Sequence, residues 1–541
     1  MWRRATSCRG RERCDPCGIS GGRDIWTESF SYSSGTNSIT VTGSYTDIAG
    51  NAGGSGGTGN FPAGVSGSAI NLALNDNSDH SGLIAATITG LAAGWALSEG
   101  THNADGSWSV LTSDIGSLTV TSPDGYVGAL VANVTESWTN ADGTVHTAVI
   151  ADNVEAYAHG SPIFAWSGDD TLTASVGNDT LVFANQIGKD VVHNFDTMHD
   201  KIDLVGFNGF ASFADVQAHL GHDASGNAVI TLADGETITL NGVAAASLNA
   251  GDFEFDQTPV TTNTGDMVIS DGALLPLSGV VDNTGTIHVS SAGNETDLEI
   301  VQHGMTLEGG GSVVLSDEAD NVIFGSDPSV TLTNVDNTIS GAGHIGDGQM
   351  TLVNEGSIIA DGIHSLDIDT GSNAVINTGT LEATGSGGLE VHSDLANSGL
   401  LWANGGNLTL DGNVSGNGSA LISGNATLEV VGAFGQDVQF DANASGTLKI
   451  DDAIDFHGML SGFGNHDTID LGNILAATAS ISYTANNSNS GGILTVTDGS
   501  NTANIALTGE YASADFHFAA DQTNHVLVQL EQHAQHLAAV A

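Results

Sequence analysis

The sequence predicts an all-β protein built from several units, and three observations carry that expectation. The 40% apolar residues arrive in short alternating runs broken by turn residues, with 73 glycines and seven prolines among 541 residues; period-two alternation between turns is the signature of many short strands. From about residue 262 an Asn-x-Gly sequence recurs at Asn283, Asn354, Asn377 and Asn397, the last three spaced by 23 and 20 residues. That interval matches one coil of a parallel β-solenoid, which takes one inward apolar stripe per strand and Asn and Gly at its corners. Finally, SGDDTLTASVGNDTLVF repeats itself after nine residues: Gly168, Asp170 and Leu172 return as Gly177, Asp179 and Leu181. Neither a helix nor a plain strand imposes that spacing.

The units follow in order. Residues 1–23 hold all six arginines and all three cysteines and carry +4, six arginines against Glu12 and Asp15, whereas the remainder carries −58, three lysines against 61 acids. The break reads as a foreign or disordered leader. Cys14-x-x-Cys17 lacks the second pair a zinc site needs and the strand–helix context of a redox motif. Residues 24–60 pair a strand-like segment, SITVTGSYTDIAGN, with the flexible linker AGGSGGTGN; TVTGSYTDIAGN resembles the closing strand of bacterial immunoglobulin-like repeats. Residues 61–160 supply runs such as INLAL, LIAATITGL and GALVANVTESW at spacings near ten, the rhythm of a β-sandwich. TITGLAAGWALSEGTHNADGSWSVL resembles the cadherin/immunoglobulin-like repeats of giant bacterial adhesins. Asp79, Asp105 and Asp124 there are either calcium ligands between domains or plain turn residues, the commoner role of an acid in a turn.

Residues 161–258 contain the nine-residue repeat, then a helix expected from SFADVQAHL with Ser212 at its start, a hairpin VITLADGETITL turning on Asp234-Gly235, and AAASLNAGDFEF. The repeat matches the second half of the glycine-rich nonapeptide of calcium-binding β-rolls. Glycine permits the tight turn, the apolar residue points inward, and aspartate with main-chain carbonyls forms a hard oxygen cage suited to calcium. A third copy, Gly188-Lys-Asp190-Val-Val192, follows after eleven residues, and the leading glycine pair is replaced by Ala165-Trp166 and Ala174-Ser175. GNDTLVFANQIGKDVVHNFDTMHDKIDLVGF with the following hairpin resembles the terminal unit of RTX (haemolysin-type, type I secreted) proteins, over about 90 residues. The resemblance implies bound Ca2+, with Gly168, Asp170, Gly177, Asp179, Gly188 and Asp190 as the metal-site residues. It places each ion between turns two repeats apart, so that Asp170 and Asp190 share one while Asp179 requires a partner near Asp196 or Asp200.

Residues 259–460 form the predicted solenoid; TLVNEGSIIADG and DLANSGLLWANGGNLTL resemble stalk repeats of secreted haemagglutinin-like proteins. Residues 461–525 echo the earlier unit: Asp200-Lys-Ile-Asp-Leu204 returns as Asp467-Thr-Ile-Asp-Leu471, and Asp252-Phe-Glu-Phe255 as Asp515-Phe-His-Phe518. Two copies of one capping module are therefore expected to close successive coiled stretches and protect their edges. Residues 526–541, VLVQLEQHAQHLAAVA, put Leu527, Leu530, Ala534 and Leu537 on one helical face, which resembles a type I secretion signal; a plain terminal helix fits equally.

A formal charge of −54 excludes a nucleic-acid surface and favours cations as partners. No apolar run reaches the roughly 20 residues of a membrane span. Gly-x-Ser-x-Gly occurs at Gly18–Gly22 and Gly53–Gly57 without the strand and helix of a nucleophile elbow, no His-Glu-x-x-His is present, and His533 and His536 read as a solvated face. The expectation is a secreted, calcium-binding structural or adhesive protein of the cell surface or biofilm matrix, not an enzyme, with a type I exporter and surface glycans or other surface proteins as partners. The alternative is a polysaccharide-active enzyme on the solenoid, with Asp367 and Asp369 as paired carboxylates.

Overall fold

A computed structural model describes residues 60–531 except 77–79, 167, 186, 233–234 and 443, together with the backbone of four short strands between residues 29 and 53. Those strands form two antiparallel pairs, Ser29–Tyr32 with Ile39–Thr42 and Tyr45–Thr46 with Ala52–Gly53. The leader with Cys14 and Cys17, Asp79, Asp234, His533 and His536 lie outside the described residues, as do the two Gly-x-Ser-x-Gly sequences apart from the backbone of Gly53.

The chain is all-β, with a parallel β-solenoid of about 14 turns. One coil consists of strands Thr351–Asn354, Ser357–Ala360 and Leu366–Ile368. The next, Val375–Asn377, Thr380–Ala383 and Leu389–Val391, stacks on it in register, Asn354 opposite Asn377, Ile358 opposite Leu381 and Leu366 opposite Leu389. Alternate residues point inward, so Leu352, Ile358, Leu366, Leu381 and Leu389 are fully buried in one continuous core. No coil can bury this stripe alone, which is why the unit repeats.

The Asn-x-Gly corners have a direct physical role. Asn334 Nδ2 donates to Asn354 Oδ1 (2.9 Å), Asn354 Nδ2 to Asn377 Oδ1 (2.8 Å) and Asn377 Nδ2 to Asn397 Oδ1 (2.7 Å), all buried. Asn263, Asn283 and Asn337 continue the ladder toward the start. It ends on Gln436, which accepts from Asn397 Nδ2 (2.7 Å), and the rings of Phe434 and Phe456 stack nearly parallel along the same edge. The glycine is required by close approach: a Cβ on Gly379 would lie 2.0 Å from Gly356 O of the previous coil.

Residues 161–258 wind as a two-sheet parallel roll. Ile163–Ala165, Thr180–Ala184, Lys201–Val205 and Phe253–Phe255 form one sheet; Phe61–Val65, Asp170–Thr173, Lys189–His193 and Thr237–Leu240 form the facing ladder. Ser212 precedes the helix Phe213–Ala218 as expected. The hairpin pairs Ala228–Thr231 antiparallel with Thr237–Leu240 as expected, with Gly235 at φ +91°; Asp234 of its turn lies outside the described residues.

Residues 61–160 are not a free-standing unit. Ile84–Thr89, Trp108–Thr112, Val127–Thr139 and Val145–Tyr157 pair antiparallel and share a separate core with Ile70, Trp95, Ile115 and Val120. Yet Tyr157 pairs in parallel with Val65 of the roll ladder, and Val127 with Met267 of the solenoid. One sheet thus runs from roll to solenoid through the ends of two 13-residue strands. The predicted boundaries at 160 and 258 divide the sequence but not the sheet.

The terminal helix is also corrected within the described residues. His525–Leu530 is a strand, antiparallel to both Thr468–Leu475 and Phe516–Ala520. Val526, Val528 and Leu530 alternate inward, and that period of two, in a β-branched segment, prevails over the helical period that Leu527, Leu530, Ala534 and Leu537 implied. Residues 532–541 lie outside the described residues.

Candidate metal centre

At the roll corners, aspartates tie one coil to the next. Asp170 Oδ2 accepts Trp166 N–H (3.1 Å), and Asp190 Oδ1 accepts Asp170 N–H (3.0 Å) from 20 residues earlier. Gly188 sits directly over Gly168, since a Cβ there would approach Gly168 O to 2.2 Å. The structure therefore brings together four of the six predicted residues: Gly168, Asp170, Gly188 and Asp190. Asp170 is nearly and Asp190 completely buried, and Asp190 Oδ2 has no hydrogen-bond partner.

Gly177 and Asp179 occupy a separate corner. Asp179 accepts Ser175 N–H (2.6 Å) and Ser175 Oγ–H (3.2 Å), and its own N–H donates to Asp200 Oδ1 (3.1 Å). Asp200 Oδ2 accepts Asp196 N–H (2.8 Å). All four carboxylate oxygens of this pair are committed to hydrogen bonds, and a Cβ on Gly177 would meet only Ser175 Oγ, at an ordinary 3.6 Å. The corner is closed by protein donors.

Further acids face the first corner. Glu155 is buried, held by Asn153 Nδ2 (2.9 Å) and Tyr157 Oη (2.8 Å), and Glu299 of the strand Thr296–Glu308 is buried beside it with Oε2 unpartnered. Burial pushes Asp170 well above the usual carboxylate range, and the neighbouring Asp190 and Glu155 push it further. Asp190 rises for the same first reason, opposed by the Asp170 N–H. Glu299 is pushed up to about 8 by burial alone. Among the described residues no cationic side chain is a leading influence on Asp170, Asp190 or Glu299; Lys201 Nζ is bonded to Gly251 O and Lys449 to Glu429 and Asp451. Stacked carboxylates in this setting require protons or a cation.

The chemistry of the Gly168/Gly188 corner fits a hard divalent cation in its carboxylate oxygens, one of them, Asp190 Oδ2, buried without a donor, although no third acid or histidine among the described residues brings a ligand atom within 4.8 Å of both Asp170 and Asp190. The fit does not extend to the Asp179 corner. Elsewhere, Asp105 accepts from Ser107 N and Oγ within its own turn (3.1 and 2.7 Å), and Asp124 stands exposed 3.8 Å from His159. Asp369 accepts Gly371 N–H and Ser393 Oγ–H.

Sequence reading missed Glu155 and Glu299, which meet where Val145–Tyr157 packs against the other solenoid sheet, Asn153 Nδ2 and Tyr157 Oη also donating to Leu274 O and Pro276 O there. It also missed the depth of the echo. Asp467 accepts Gly446 N–H (3.1 Å) and Gly464 N–H (2.8 Å), the same grip by which Asp200 holds its two corners. No protein-family model, curated protein or solved structure matches the chain.

Proposed function

We propose that this is a secreted, calcium-binding structural or adhesive protein of the cell surface or a biofilm matrix. The Asp170–Asp190 stack carries the reading. Two buried carboxylates at successive corners, one with an unpartnered oxygen, face Glu155 and Glu299 with no base among them. A cation selecting the folded state would leave so acidic a chain loose at low cytosolic calcium and compact outside, after passage through a type I exporter. Calcium would neutralise the corner; Gly168 and Gly188 would shape it. The echoed antiparallel segments at 220–240 and 480–508 would cap the roll and the solenoid, leaving the solenoid faces for surface glycans or other surface proteins.

The test is a melting curve under calcium titration of the metal-stripped full chain. With weak extracellular-type affinity, ~10 mM calcium should stabilise by roughly 1.5–3 kcal/mol, a rise of a few degrees that Asp190→Asn removes. No change up to ~10 mM would sink the metal reading. Glycan-array binding without sugar release would favour the adhesive role over the polysaccharide-active alternative; sugar release would reverse that choice.

A further inference from the structure

A different set of ligand-type side chains lies on the outer face of the solenoid, remote in sequence from the roll. Along the ladder of Leu366–Ile368, Leu389–Val391 and Leu408–Leu410, the even-spaced residues Leu366, Ile368, Leu389, Val391, Leu408 and Leu410 point inward. The alternate positions point outward. His344, Asp367 and Glu390 are direct partners on consecutive coils, and His392 lies two residues beyond Glu390 on the same face.

The register does more than crowd acids together. Asp367, Glu390 and His392 each offer one ligand atom, and those atoms all lie within 4.8 Å of one another. Asp367 Oδ1 is buried without a hydrogen-bond partner, while its Oδ2 stands 3.5 Å from His344 Nδ1. His392 Nδ1 sits 2.7 Å from Asp411 Oδ2 of the next coil. A carboxylate only accepts, so Nδ1 carries the hydrogen, and in the neutral imidazole Nε2 keeps its lone pair, 3.8 Å from Glu390 Oε2. A histidine fixed by a carboxylate on one nitrogen, with the other turned toward two further carboxylates, is the arrangement by which metal-binding histidines are oriented. The nearest lysine along the ladder, Lys449, is already engaged by Glu429 and Asp451.

We infer that Asp367, Glu390 and His392 bind a divalent transition-metal ion of the zinc class, with Asp411 positioning the histidine. The imidazole nitrogen sets the preference: calcium and magnesium favour all-oxygen cages, whereas one nitrogen with two carboxylates suits zinc or cobalt. Bonds near 2.0–2.2 Å place neighbouring ligand atoms about 3.4 Å apart, so half-exposed side chains need to close by about 1 Å. Three protein ligands leave one position for water or for an oxygen of a bound partner. This site is independent of the calcium reading and stands or falls separately.

The experiment titrates zinc into the metal-stripped full chain by calorimetry, in excess calcium, and repeats the titration with cobalt while recording its visible spectrum. Wild type should bind one zinc that calcium does not displace, and cobalt should give the absorption of a low-coordinate nitrogen–oxygen site. His392→Ala and Glu390→Gln, both at solvent-accessible positions, should each weaken that binding roughly tenfold or more, and Asp411→Asn roughly 10–100-fold with a shifted cobalt spectrum. Asp190→Asn should leave zinc binding unchanged. Equal zinc affinity and stoichiometry in wild type, His392→Ala and Glu390→Gln would overturn the assignment, because the metal would then be held by other histidines.

Discussion

Coil is tied to coil by aspartate in the roll and by asparagine in the solenoid. Asp170 and Asp190 stand 20 residues apart, Asn354 and Asn377 23 apart, and both pairs occupy buried corners. The chemistry differs in one respect. An amide donates and accepts, so each Asn satisfies the next and the ladder extends without accumulating charge. A carboxylate only accepts; its donor must come from the main chain, and each further Asp adds buried negative charge. The asparagine corner therefore carries no charge to offset, whereas burial makes the Asp170–Asp190 corner costly to ionise.

The largest expected effect tests that cost through Glu299, which packs against the roll acids. Its folded-state value of about 8 lies above its ordinary 4.5, so the folded form keeps a proton that the unfolded chain has lost. Its contribution is full below about pH 4.5 and is lost as pH rises through about 8, on the order of 5 kcal/mol at about 1.4 kcal/mol per unit. In calcium-free buffer, Glu299→Gln should melt near wild type at pH 5 and well above it at pH 9. Equal melting at both would mean that Glu299 is not held uncharged.

Next in size is Asn354→Ala. It strips Asn334 Nδ2 of one acceptor and Asn377 Oδ1 and Thr380 O of their donor, a loss of about 3 kcal/mol. Denaturant unfolding should show the same loss at pH 5 and pH 8; a loss confined to one pH would erase the contrast between the two corners. The smallest effects compare two glycines of the nine-residue repeat. Gly188→Ala drives a methyl into Gly168 O and should cost about 1–3 kcal/mol. Gly177→Ala meets only Ser175 Oγ at an ordinary contact distance of 3.6 Å and should be neutral or stabilise by about 0.5 kcal/mol, as thermal melts of the two variants can resolve.

The solenoid was legible because Asn283, Asn354, Asn377 and Asn397 each serve a buried corner at the coil's own period. Asn334 and Asn337 were not, since neither is followed by the glycine that marks the others, and their coil turns its corner over four residues. Within the candidate site, Asp170 and Asp190 were legible as a pair because a short repeat preserves register. Glu155, Glu299 and the His392–Asp411 contact were not, for a contact between strands far apart in sequence depends on pairings that no local period encodes. The terminal strand was misread for a related reason: Val526, Val528 and Leu530 fit a period of two, and four leucine and alanine positions in the same stretch fit one of 3.6.

The asparagine ladder also fixes a length. Each rung repeats at the inter-strand spacing of about 4.8 Å, so about 14 turns amount to a rod of roughly 65 Å. Because the strands of each coil pair with those of the adjacent coils, inserting or removing one Asn-cornered coil would change that length by a single rung while the rest stayed in register. The distance between the two ends of the stack is thus set in whole steps of one rung.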